Sequence, residues 1–266
     1  VKGVFLLAER KIVVIDAGHG GADPGAVYNG RQEKDDNLKL ALAVGKILAD
    51  NGVDVRYTRT DDTYNTPLEK AMMANDAEAD LFVSIHRNAM PVPGTGSGIE
   101  TVVFENKGIE GMLGTNIGEA LGTIGFTNLG TVERPGLVVL RRTKIPSVLT
   151  EVGFIDNEAD NYLFDDHFDE IAQAIATGIL NTIQEQEENQ IEYYQIQTGA
   201  FRVRSLAEDQ VNMLKSQGFP AFVVYEDGLY KVRVGAFRNM DNAVKMEQAL
   251  RQLGHNTFMV KRPAVY

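Results

Sequence analysis

The chain contains no cysteine. That removes disulfides, thiolate metal sites and cysteine nucleophiles together, and leaves imidazole and carboxylate as the groups able to hold a metal. A cysteine-free chain also suits work outside the cell. No apolar run approaches the roughly 20 residues needed to span a bilayer, so no membrane insertion is expected. The opening Val1-Lys2-Gly3-Val4-Phe5-Leu6-Leu7-Ala8 is too short for a secretory h-region and lacks a small-residue cleavage site. A basic balance is missing as well. The net charge of −11 has the wrong sign for a general nucleic-acid binder. The charge is uneven: residues 191–266 hold ten Lys/Arg against seven Asp/Glu, or +3, which leaves −14 on residues 1–190. The remaining composition, 44% hydrophobic and 24% charged over 266 residues, is that of a globular chain with room for one sizeable domain and one small one.

The stretch Gln184-Glu185-Gln186-Glu187-Glu188-Asn189-Gln190 is polar and acidic, fit to end a helix or to link but not to enter a core. The expected division is therefore a domain over 1–183, a linker or helix end over 184–191, and a second domain over 192–266. Beyond the boundary the chain repeats itself at an offset of 36, Tyr194-Gln195-Ile196-Gln197-Thr198-Gly199-Ala200-Phe201-Arg202 matching Tyr230-Lys231-Val232-Arg233-Val234-Gly235-Ala236-Phe237-Arg238. Without a gap, Ala207 then pairs with Ala243, Leu214 with Leu250, Gly218 with Gly254 and Phe222 with Phe258. Each half reads as strand, helix, strand, and two such βαβ units predict a four-stranded antiparallel sheet with helices on one face, the α+β ferredoxin-like pattern. An RNA-recognition module shares that topology, but its aromatic stacking pair is not evident here. The tandem layout opened by Tyr194-x-x-Gln197-x-Gly199-x-Phe201 resembles the SPOR domain, a family that binds peptidoglycan glycan strands stripped of their peptides. The resemblance implies that the open sheet face carries the glycan, with Gln195, Gln197, Tyr230 and Arg233 as candidate contacts; each of them also reads as an ordinary solvated sheet position.

Residues 1–190 alternate short apolar strands with amphipathic helices, which predicts an α/β domain with a mostly parallel sheet and helices on both faces. Strands are expected at Ile12–Ile15, Val53–Tyr57, Leu81–Ile85, Thr101–Phe104 and Ser147–Thr150. Helices are expected at about 34–50, 69–77 and 165–185, the last with Phe168, Ile171, Ile175, Ile179 and Ile183 at helical spacing. In such sheets ligands bind beyond the carboxyl ends of the strands. There the first strand runs into Asp16-Ala17-Gly18-His19-Gly20-Gly21, the third into His86-Arg87-Asn88 and the last into Glu151, while Glu33 stands before the first helix. A lone histidine after a strand is usually a loop hydrogen-bonder, and a carboxylate before a helix usually offsets the helix dipole. Convergence changes those odds, because two of the chain's four histidines share this one edge. Two imidazoles and a carboxylate with an open fourth position are the ligands of catalytic zinc hydrolases. His167 and His255 read as surface residues. The glycines around His19 fit neither a dinucleotide fingerprint, which needs glycine at Asp23, nor a P-loop, which needs a following Lys-Ser/Thr.

Asp16–Ala26, Glu33 with Asn37-Leu38, Thr58-Arg59-Thr60-Asp61-Asp62, Ala74-Asn75, Ala79–Ala89, Gly98-Ile99-Glu100-Thr101, Leu137-Val138-Val139-Leu140-Arg141 and Pro146–Asn157 resemble, in order, the zinc-dependent N-acetylmuramoyl-L-alanine amidases (amidase type 3) over about residues 11–183. The resemblance implies one Zn2+ held by His19, Glu33 and His86, with Glu151 as the catalytic carboxylate. It implies hydrolysis of the amide between N-acetylmuramic acid and L-alanine in bacterial peptidoglycan. Asn88 and Arg141 are candidate substrate contacts. One departure stands before Ala74-Asn75, where Lys70 replaces the family's usual arginine; the exchange is expected to weaken a helix contact without touching the metal. Residues 90–110 leave no room for the long inhibitory helix of some wall-division members, so the site is expected to be open without an activator.

Two other readings stay open. A zinc peptidase cutting within the stem peptide would use the same ligands, and a wall-targeting protein would carry an inert catalytic half. The expected partner is peptidoglycan, with no nucleic acid, and the expected state is a monomer acting in the cell wall or outside the cell. With no leader in the opening residues, release by lysis of the producing cell, in sporulation or phage exit, is the expected route.

Overall fold

The computed structural model describes residues 10–190 and 192–263; the opening Val1–Ala8, on which the leader expectation rests, lies outside them. The chain divides into two compact units, one up to Gln184 and one from Glu185 onward. In the first unit the elements run β1 (Ile12–Ala17), β2 (Val27–Tyr28), β3 (Arg31–Gln32), α1 (Glu33–Asp50), β4 (Asp54–Tyr57), α2 (Pro67–Asp76), β5 (Leu81–Asn88), β6 (Ile99–Val103), α3 (Gly108–Gly122), β7 (Asn128–Glu133), α4 (Val138–Arg142), β8 (Ser147–Phe154), α5 (Glu158–Asp166) and α6 (Phe168–Gln190). Six strands form one sheet in the order β4-β1-β5-β8-β6-β7. β4, β1, β5 and β8 are mutually parallel, β6 runs antiparallel to β8, and β7 is parallel to β6.

Both faces of this sheet are covered, which is why its central strands β1, β5 and β8 are buried runs and not alternating ones. On one face Val13, Ile15, Val83, Ile85, Val148 and Val152 pack with Leu40, Val44 and Leu48 of α1, Leu113, Ile117 and Leu121 of α3, and Ile171, Ile175 and Ile179 of α6. On the other, Val14, Phe82, Val102 and Leu149 pack with Ala74 of α2 and Val139 and Leu140 of α4. The start of α2 is specified locally: Pro67 opens it, and Thr66 and Glu69 form a reciprocal capping box.

Two elements differ from the sequence reading. The helix expected over 165–185 is two helices, α5 and α6, separated at His167, whose N–H closes α5 on the Leu163 carbonyl while its own carbonyl accepts from Ile171. No glycine or proline marks the break. Phe164 and Phe168 stand on either side of it in a T-shaped contact at 5.8 Å. The glycine-laden helix α3 was not expected at all. Glycine costs a helix about 1 kcal/mol against alanine, but here it permits close approach to the sheet: a Cβ on Gly114 would lie 2.7 Å from Thr131 Cγ2.

The second unit contains β9 (Glu192–Phe201), α7 (Arg204–Ser216), β10 (Ala221–Glu226), β11 (Leu229–Phe237), α8 (Met240–Gln252) and β12 (Phe258–Pro263). The strands are antiparallel in the order β10-β11-β9-β12. The repeat appears in space as a shared core, where Ile196, Val232 and Val234 meet Ala207 and Leu214 of α7 and Ala243 and Leu250 of α8. The acidic stretch 184–190 is helical, as the last turns of α6, which runs past the division between the units.

Candidate metal centre and open sheet face

Three separate segments bring His19, Glu33 and His86 together. β1 ends two residues before His19, which has a left-handed backbone (φ 60°) that turns the chain sharply away from the sheet. β5 carries His86 near its carboxyl end, and Glu33 is the first residue of α1. Ligand-capable atoms of the three lie within 4.8 Å of one another, and no other group of three or more His, Cys, Asp or Glu meets that condition among the described residues.

Glu33 is 3% exposed, and its carboxylate is the centre of the group. Oε1 lies 2.9 Å from His86 Nδ1 and accepts from Asn37 Nδ2 and the Arg87 N–H at 3.1 Å each. Oε2 lies 3.1 Å from His19 Nε2 and accepts from the Ala26 N–H at 2.9 Å. Burial acts to raise the Glu33 pKa, but the hydrogen bonds to and charges of both imidazoles outweigh it and hold the carboxyl well below its usual range. Burial likewise acts to lower His19, and the hydrogen bonds and charges of Glu33 and Asp23 overcome it, raising His19 to about 9. Asp23 accepts from His19 Nδ1 at 2.8 Å and thereby orients the ring with Nε2 toward Glu33. Gly18 and Gly25 make room for the group: a Cβ at Gly18 would fall 2.4 Å from the His86 ring, and one at Gly25 would fall 2.5 Å from Glu33 Oε2.

Glu151 lies beside this group. On the paired strands β5, β8 and β6, the residues His86, Glu151 and Glu100 are successive cross-strand partners and so share a sheet face. Glu151 Oε2 is buried without a hydrogen-bond partner, and burial raises the carboxyl to about 7. His19 and His86 line a cavity of about 370 Å3 whose walls include Tyr64, Pro67, Leu137 and Val138. Lys70 lines it too. The Lys70 ammonium is buried, paired with Asp16 at 2.8 Å and donating to the Ala17 carbonyl at 2.8 Å, so it serves the segment leading to His19 instead of a helix contact. Arg141 is exposed on α4 and Asn88 donates no side-chain bond into the cavity, its Oδ1 accepting instead from the Ala89 N–H at 2.9 Å; neither lines it. A larger groove of about 900 Å3 between α3 and α6 includes His167 and Glu170 but no comparable cluster among the described residues.

In the second unit, alternation along β9 places Gln195 and Gln197 opposite the core residue Ile196, and along β11 it places Arg233 opposite Val232 and Val234. Tyr230 falls on the other side from Arg233. It packs on the helix-covered core with its ring 4.8 Å from Tyr225, which separates it from the other three candidates. Arg233 donates to Gln195 Oε1 at 3.1 Å and also to Glu226. The open face holds two aromatics that the sequence reading passed over: Phe222, Arg233, Gln197 and Phe258 are successive cross-strand partners in one row, and Phe258 is 66% exposed.

A covered α/β sheet with an imidazole–carboxylate–imidazole group at its carboxyl edge, followed by an open-faced four-stranded unit, defines a two-part hydrolase. The chain belongs to the N-acetylmuramoyl-L-alanine amidase family, whose pattern matches residues 13–181, and a SPOR domain follows over residues 191–261. It is thus a cell-wall hydrolase with a peptidoglycan-binding domain. It is 34% identical to the sporulation-specific N-acetylmuramoyl-L-alanine amidase of Bacillus subtilis (strain 168) over 221 residues, 81% of this chain and 85% of that protein. It is 38% identical to the endolysin of Bacillus phage SPP1 over 179 residues, 64% of this chain and 65% of the phage protein. The crystal structure of an N-acetylmuramoyl-L-alanine amidase from Clostridium difficile 630 superposes with a TM-score of 0.63 at 32% identity, covering 67% of this chain and all of that one.

Proposed function

We propose that this amidase is zinc-dependent, with the ion held by His19, Glu33 and His86 and with Glu151 as the catalytic carboxylate. The observation that carries the reading is the Glu33 carboxylate lying against both imidazoles, with ligand atoms of all three inside 4.8 Å. The donor set fits zinc, which takes nitrogen and oxygen ligands in catalytic sites and leaves a position open. Asp23 behind His19 supplies the orienting carboxylate such sites use. When bound, zinc supplies Lewis acidity, acidifying water and polarising the scissile carbonyl. Glu151, with a buried free oxygen beside His86, takes the proton of the attacking water and returns it to the leaving alanine amine. The apolar wall of Tyr64, Pro67, Leu137 and Val138 holds the substrate against this edge. Asn88 and Arg141 are proposed to contact the polymer outside the cavity.

The catalytic domain spans 1–183 and the targeting domain 192–266, joined through the acidic stretch, and the enzyme acts as a monomer in the cell wall. The open face of the second unit, with Gln195, Gln197, Arg233, Phe222 and Phe258, takes glycan stripped of its peptides; sugar rings stack on the phenylalanines while the polar groups reach hydroxyls. Phe258→Ala is expected to weaken retention on amidase-stripped walls about tenfold, a step of about 1.4 kcal/mol, while turnover of soluble muropeptides stays unchanged. A pull-down equal to wild type removes Phe258 from the glycan face.

The catalytic reading is tested by metal analysis together with mass spectrometry of digested peptidoglycan. The expected result is one zinc per chain, loss of activity on chelation with recovery on adding zinc, and released peptides carrying a free alanine amino terminus. Peptides cut within the stem, with alanine still joined to the sugar, would point to a peptidase.

A further inference from the structure

Beneath the metal centre lies a buried cation that makes no hydrogen bond to His19, Glu33 or His86 yet holds the backbone of the segments presenting two of them. Arg59 follows β4 and is 4% exposed. Its guanidinium spends its donors on main-chain carbonyls. Nε donates to the Ala17 carbonyl at 3.0 Å, Nη2 to the Gly18 carbonyl at 2.9 Å and to the Lys34 carbonyl at 2.8 Å, and Nη1 to the Asp61 carbonyl at 2.9 Å. Ala17 and Gly18 immediately precede His19, and Lys34 immediately follows Glu33. One planar group therefore ties the turn that carries the first imidazole to the first turn of the helix that carries the carboxylate.

We infer that Arg59 is a positioning residue whose rigid fork sets the spacing between His19 and Glu33, and through it the affinity of the site for its metal. The inference rests on the reading of His19, Glu33 and His86 as the ligand set. Three features support it. A guanidinium presents its donors in fixed directions, so two carbonyls bonded to it cannot drift apart independently; an ammonium is a point charge that imposes no such separation. A second cation already serves the Ala17 carbonyl, since Lys70 Nζ donates to it at 2.8 Å, so charge at that carbonyl is not what Arg59 alone provides. What Arg59 adds is the reach from Gly18 to Lys34. The approach is also close: a Cβ on Gly20 would lie 3.0 Å from Arg59 Nε, so the turn around His19 packs directly on the guanidinium.

The test uses the full chain and reads zinc affinity, not turnover alone. Arg59→Lys keeps the charge and removes the fork. It is expected to weaken zinc binding by about 10–100-fold, the range for groups that orient metal ligands, in competition with a chromophoric chelator. At saturating zinc the variant is expected to recover most of its turnover; because buried carbonyls lose their donor, the chelator-treated variant is also expected to melt below wild type, and affinities are compared at a temperature where both chains are folded. Arg59→Gln is the second variant, with two donors and no charge, and loses affinity as well if geometry is what matters. The inference is overturned if either variant, folded by circular dichroism, binds zinc as tightly as wild type, or if Arg59→Gln alone loses affinity, which would assign the effect to charge. A wild-type chain that binds no zinc overturns the ligand reading instead and is seen before any variant is made.

Discussion

Replacing His86 with alanine is expected to abolish wall hydrolysis and to strip the metal. Structural zinc sites contribute about 10–16 kcal/mol through four ligands, so one ligand accounts for roughly 2.5–4 kcal/mol, or about 10²–10³ in affinity. The loss should not unfold the domain. His86 lies at the carboxyl edge of β5, and the core of that strand is built by Leu81, Phe82, Val83 and Ile85. Glu33 Oε1 would still accept from Asn37 and from the Arg87 N–H. Metal content after dialysis against a weak chelator, read beside a thermal melt, separates the two effects. Full zinc occupancy in a folded His86→Ala chain would remove His86 from the ligand set.

Glu151→Gln is expected to lower kcat by about 10²–10⁴, the usual worth of a positioned acid–base group, with zinc content unchanged. The substitution keeps the volume of the side chain and removes its ability to take a proton. Because the free Glu151 oxygen is buried without a partner, it contributes nothing to holding the fold, so thermal stability should not fall. An isolated buried carboxylate is costly to maintain and is retained where chemistry needs it. Activity within tenfold of wild type at full zinc occupancy would transfer the role of base to another group.

Much of this candidate site could be read along the chain because it stands where parallel sheets place their ligands. The strands before His19 and His86 announce themselves as apolar runs, and the carboxyl edge follows from their direction. The repeat was legible for a different reason: the same inward positions recur at an offset of 36, and in the structure Ala207 and Ala243, and Leu214 and Leu250, fill equivalent parts of one core. Tyr230 shows the limit of motif matching against strand period. It stands three residues before Arg233, and a period of two must put them on opposite faces.

Other features had no local signal. Lys70 reads along the chain as an exchange that weakens a helix contact, but α2 turns it inward to the Asp16 carboxylate and the Ala17 carbonyl, lining the cavity of the candidate metal centre. Helix α3 was hidden because glycine argues against helix in isolation, whereas packing on β6 and β7 demands a side chain of no size at Gly114. The break at His167 leaves the helical backbone at one residue (φ −115°, ψ 30°) with no glycine or proline to announce it.

By itself the sequence determined the two-part organisation, the apolar strands and the residue types available for the chemistry, since with no cysteine only imidazole and carboxylate could serve. Tertiary structure alone decided the distances. Glu33 meets both imidazoles only because β1, β5 and α1 converge from positions far apart in the chain, Glu151 lies beside His86 only through strand register, and Arg59 reaches the carbonyls of Ala17, Gly18 and Lys34 only because β4 lies next to β1. Local preferences are written in neighbouring residues, but the spacing of groups distant in sequence is set by packing, and the chemistry proposed for this centre depends on that spacing.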